Sequence, residues 1–140
     1  MRFGKLSRAP LQLLRLQLWR ETAECDWMAR SWDTWDGALP RGERDRRASF
    51  QALQDAIAIR EMLFDVLPDV EAAELRCFRQ SACEPPELII LGMMTREAVP
   101  MQKVTSPVMR AKLYGFRFFL DDGVLKRMEV GDGSLQLISA

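Results

Sequence analysis

Residues 11–30 read LQLLRLQLWRETAECDWMAR, and how this stretch is taken decides the fold. Its first half is ambiguous. Leu11, Leu14 and Leu18 fit one face of a helix, whereas Leu14, Leu16 and Leu18 alternate with Arg15, Gln17 and Trp19. The second half resolves it. Ala23, Cys25, Trp27 and Ala29 alternate with Glu24, Asp26, Met28 and Arg30, which is the period of two expected of a half-buried strand. With a turn at Arg20-Glu21-Thr22, residues 12–30 form a first β-hairpin.

Outward from this hairpin, residues 1–9 read as a loose basic arm carrying Arg2, Lys5 and Arg8. A loop is expected from Ser31 to about Arg47, since no period survives around Trp32, Trp35, Gly37, Pro40 and Gly42. The clearest helix starts at Ser49 as N-cap and runs to Leu67, where Pro68 stops it. Phe50, Leu53, Ile57 and Phe64 form its apolar stripe, widened by Ala56, Leu63 and Leu67; Gln51, Gln54, Asp55 and Glu61 lie opposite.

Ala73, Leu75 and Cys77 alternate with Glu74, Arg76 and Phe78 as a third strand, and Leu88-Ile89-Ile90-Leu91 is a short apolar run suited to a central one. Ser106-Pro107 opens a short helix that ends at Gly115. Phe116–Leu120 and Val124–Val130 then flank Asp121-Asp122-Gly123, an Asp-Gly hairpin signal. Residues 131–140 are a tail that frays or adds a last strand at Leu135–Ile138.

The expectation is a single α+β domain over residues 1–140. An antiparallel sheet of about six strands, in the order ββ-α-ββ-α-ββ, packs on one long amphipathic helix. One such helix shields only one face of a sheet, so aromatic side chains must cap the other face or await a partner.

Composition narrows the function. The 140 residues include 20 basic and 20 acidic side chains and no histidine. Zero net charge argues against a general nucleic-acid or membrane-surface binder. Without histidine there is no Ser-His-Asp or Cys-His nucleophile, no HExxH zinc site and no imidazole relay. Cys25, Cys77 and Cys83 lack CxxC spacing, so no metal is expected, and their odd number suits free thiols in the reducing cytoplasm. Neither GxGxxG nor GxxxxGK[ST] occurs, so no cofactor is expected either. No run reaches the roughly 18 apolar residues of a membrane helix.

Two groups of residues are candidates for binding. Trp32-Asp33-Thr34-Trp35-Asp36 puts two indoles in a polar loop. They either fold back as a lid or anchor a protein partner, with Asp33 and Asp36 orienting it. Arg41, Arg44, Arg46 and Arg47 precede the long helix, while Arg110, Lys112 and Arg117 are interleaved with Tyr114, Phe116, Phe118 and Phe119. Guanidinium groups at a helix start attract phosphate, and cations among rings suit nucleic acid. The reading favoured is a non-enzymatic protein–protein interaction module that associates with itself or another chain through the sheet face and the tryptophan loop. The alternative is a nucleic-acid or phosphate-ligand binder using the arginine set. An enzyme working through carboxylates, Tyr114 or the Cys83 thiolate ranks third.

Overall fold

The computed structural model describes residues 12–30, 40–80, 85–97 and 104–128. Strand β1 (Gln12–Trp19) and β2 (Thr22–Met28) form the expected antiparallel hairpin, closed by Arg20 and Glu21 with Arg20 at φ 58°. The pairing slips between Leu13 and Arg15, a β-bulge that leaves Leu14 unpaired. Helix α1 (Arg41–Val66) follows, then β3 (Ala72–Arg79), β4 (Glu87–Thr95), α2 (Pro107–Tyr114), β5 (Phe116–Arg117), β6 (Leu120–Asp121) and β7 (Val124–Leu125).

The α+β class and the helix on a sheet stand, but the sheet departs from the expected six antiparallel strands. Among the described residues it has five strands in the order β1-β2-β3-β4-β5, and β2 and β3 run parallel. The reason is length. At about 1.5 Å per residue, α1 carries the chain back along the whole of β2, so β3 starts where β2 started. Among the described residues, Leu120–Asp121 and Val124–Leu125 pair with each other, as a separate two-stranded hairpin. Asp122 (φ 53°) and Gly123 (φ 77°) both take the positive φ that the Asp-Gly turn requires. The N-terminal arm 1–9 and the tail 131–140 lie outside the described residues.

Helix α1 begins at Arg41, not Ser49. Pro40 (φ −56°) stands at the N-cap position, and Glu43 in the first turn suits the positive end of the helix dipole. Ser49 is interior and buried, where its hydroxyl accepts the Leu125 N–H at 2.8 Å and ties β7 to the helix. The apolar stripe also shifts: Phe50 is exposed, whereas Gln51 and Asp55 are buried beside Ala52, Leu53, Ala56, Ile59, Leu63 and Phe64. Helix α2 keeps its expected ends, with the Met109 N–H donated to the Ser106 hydroxyl, Pro107 in the first turn, and Gly115 at φ 109°.

The main core lies between α1, α2 and one sheet face. Ala23, Cys25 and Trp27 of β2 meet Ala73, Leu75 and Cys77 of β3 and Ile90 and Met94 of β4. Cys25 and Cys77 are free, buried thiols, and burial pushes the Cys25 thiol up to about 11. Gly92 lets Phe116 lie across β4, since a Cβ there would come within 2.7 Å of the Phe116 ring. A smaller cluster of Met28, Phe78, Leu88 and Met128 sits at one end of the far face. No described helix is long and apolar enough to cross a membrane.

Candidate interaction surface

Among the described residues, strand β1 is an edge of the sheet, paired with β2 on one side. All eight of its residues except Arg15 are exposed. Leu13, Leu16 and Leu18 lie opposite Trp27, Cys25 and Ala23, so they extend the core-facing side of the sheet. Yet they are 56%, 48% and 52% exposed, and Trp19 is 69% exposed. Within the sheet, α1 packs chiefly on β3, near the middle, and the β1 leucines on that face stay exposed.

The last turns of α1 also carry two exposed apolar side chains, Met62 and Val66. Arg60 donates to the Thr95 carbonyl at 3.0 Å, and the Tyr114 hydroxyl donates to Glu61 at 3.2 Å, so those positions face β4 and α2. At about 100° per residue, Met62 and Val66 point to the other side of the helix, the flank on which Asp55 meets Arg30 just past β2.

The edge also offers backbone groups. In a hairpin with a two-residue turn, the closing pair Trp19 and Thr22 exchanges hydrogen bonds. Leu18 and Leu16, alternating with that pair, therefore turn their N–H and C=O groups away from β2.

The far face of the same hairpin is charged and internally matched. Arg15 donates to Glu24 at 2.6 Å and to Asp26 at 3.3 Å, and also to the Gln17 side chain. Arg76, only 1% exposed, donates to both Asp26 oxygens at 2.7 and 3.2 Å. Glu74, 5% exposed, has a buried oxygen without a hydrogen-bond donor. Burial, with Glu24 and Asp26 nearby, holds its carboxyl above the usual range against the pull of Arg76 and Arg15. A second buried pair joins Arg30 to Asp55 at 3.0 Å, with Gln51 donating to Asp55 at 2.9 Å. Burial raises the Asp55 carboxyl against the opposing Arg30 and Gln51 contacts. No group of three or more thiol or acidic side chains among the described residues is arranged to hold a metal ion.

Of the residues singled out in the sequence, Trp32, Asp33, Trp35 and Asp36 lie outside the described residues. The arginine set is described and does not converge. Arg41, Arg44, Arg46 and Arg47 occupy the first turns of α1, not a loop. Arg46 is matched by Glu43 at 2.8 Å and by Asp122 at 3.3 Å. Arg110 sits beside Glu61 at 3.9 Å, some 17 residues or about 25 Å along α1 from Arg44. Lys112 lies 5.7 Å from the Phe118 ring centroid. Arg117, opposite Leu91, is on the sheet face away from the helices.

The bare edge was legible in part. The alternation of Leu16 and Leu18 with Arg15 and Gln17 signals a strand with one apolar side, but not that this side stays exposed. No protein-family model, no curated protein and no solved structure matches the chain.

Proposed function

We propose that this chain is a non-enzymatic interaction module that docks a polypeptide along β1. One observation carries the reading: an edge strand has its leucines exposed, and its hairpin register turns the Leu16 and Leu18 backbone groups away from β2. Edge strands are ordinarily blunted by charge, proline, short length or a bulge, because a bare one recruits another strand; the β1 bulge at Leu14 leaves residues 15–19 regular. On β1 the single charge, Arg15, is engaged by Glu24 and Asp26 on the far face. Trp32 and Trp35, with Asp33 and Asp36 beside them, are the second anchor of this reading. Each Trp→Ala change is expected to weaken association by about 2 kcal/mol. The partner is a protein or a second copy of the chain, met in the cytoplasm, and no cofactor or metal takes part.

A phosphate or nucleic-acid role through Arg41, Arg44, Arg46, Arg47, Arg110, Lys112 and Arg117 is the weaker reading, because these cations are spread along α1 and over both sheet faces. It requires affinity that falls steeply with salt.

Two measurements test the module: sedimentation of the chain alone, and selection of extended peptides that bind it. Either mode of association is expected to weaken at least about tenfold in Leu16→Lys. A chain that neither self-associates nor selects a peptide sensitive to Leu16→Lys or Leu18→Lys overturns the reading.

A further inference from the structure

We infer that the occupant of β1 is a second copy of this chain, paired antiparallel to it about a two-fold axis through Gln17, so that two five-stranded sheets become one. The inference rests on the docking reading above and names its partner.

Three observations favour a copy over a foreign strand. The bulge at Leu13/Arg15 restricts regular pairing to residues 15–19, and this stretch is self-complementary about Gln17. A two-fold there sets Leu16 opposite the copy's Leu18 on the core-facing side, where each pair adds apolar contact across the strands. On the far side it sets Arg15 opposite the copy's Trp19, a cation beside a ring. Gln17 meets itself, and an amide, being both donor and acceptor, pairs with its own kind.

Charge points the same way. Arg15 is already matched within its own chain by Glu24 at 2.6 Å and Asp26 at 3.3 Å. The strand therefore offers no unmatched charge to attract an acidic or basic partner, and juxtaposing two copies opposes no like charges. The whole chain has zero formal net charge, so two copies approach without mutual repulsion.

The backbone agrees with this register. Leu16 and Leu18 are the residues whose N–H and C=O groups point outward, so each Leu16 exchanges hydrogen bonds with the copy's Leu18. Gln17, whose backbone points to β2, becomes the non-hydrogen-bonded centre, with Cα atoms about 4.5 Å apart. That spacing is within reach of a disulfide. The opposite edge of the sheet, β5, has only two residues and cannot pair in this way.

The test joins a covalent probe to a solution measurement. Gln17→Cys, made in a Cys83→Ser chain, is expected to form a disulfide-linked dimer under mild copper–phenanthroline oxidation, while Lys126→Cys in the same background stays monomeric. Sedimentation of the unmodified chain is expected to show a concentration-dependent dimer, and Leu16→Lys a folded monomer. A monomer at roughly 100 µM that still selects peptides through β1 overturns the self-pairing and leaves the docking function standing. A monomer that selects none overturns both. A dimer that survives Leu16→Lys and whose Gln17→Cys form resists cross-linking assembles through another surface and also overturns the inference.

Discussion

At the end of α1, Arg96 does for the helix what no residue of the helix does for itself. The last turn of α1 contains no basic side chain. Arg96, at the exit of β4, donates to the carbonyls of Phe64, Leu67 and Val70 at 2.8, 2.6 and 2.8 Å, with its guanidinium 5.1 Å from the Phe64 ring. It thereby satisfies carbonyls that a helix end leaves open. Arg96→Ala is expected to destabilise the fold by about 2 kcal/mol in urea denaturation, with Arg96→Lys recovering only part, because an ammonium lacks the planar fork. Glu74 makes a different prediction. Burial raises its carboxyl above the ordinary 4.5, so the folded chain holds that proton more tightly than the unfolded chain does. The stability from this group is full below the unfolded value and is lost as pH rises through the folded one. Glu74→Gln is therefore expected to flatten the decline of melting temperature from about pH 4.5 toward neutrality. Part of the slope remains with Asp55, whose carboxyl is raised in the same direction. An unchanged slope in the variant refutes this role.

Among the elements, short-range chemistry was the most legible. Ser106, Pro107 and Gly115 bound α2, and Asp122-Gly123 closes the β6–β7 hairpin, because caps and tight turns depend on the residues that make them. The start of α1 was misread because its arginines look like a solvated loop and Ser49 looks like a cap. Serine serves equally well as a hydrogen-bond acceptor inside a helix, and the Leu125 N–H that it accepts comes from 76 residues further along the chain. Ser49→Ala is expected to cost about 1–3 kcal/mol by leaving that buried N–H unmatched, read by chemical denaturation. Gly92→Ala, which drives a Cβ to within 2.6 Å of the Met94 methyl and 2.7 Å of the Phe116 ring, is expected to cost about 1–3 kcal/mol by overpacking. If its melting temperature equals that of the parent chain, Phe116 does not pack closely across Gly92.

For the whole molecule, the decisive fact is where α1 sits. It packs chiefly on β3, near the middle of one sheet face, and the β1 leucines on that face stay exposed. Leu16→Lys accordingly separates folding from association: an exposed position tolerates the change to within about 0.5 kcal/mol, while the proposed pairing is lost. A large loss of stability in a monomeric Leu16→Lys chain shows instead that β1 is packed within its own chain. What the sequence determined by itself was local. The alternation of residues 22–30, the amphipathic run through residues 53–64, the Asp-Gly turn and the absence of histidine set the elements and excluded whole classes of chemistry, since each depends only on neighbours along the chain. The parallel pairing of β2 with β3, the burial of Asp55 beside Arg30, the separation of the arginines and the bare leucine edge were decided only by the tertiary structure. They depend on where a helix 26 residues long comes to rest on the sheet, and that is a balance of packing among residues far apart in sequence.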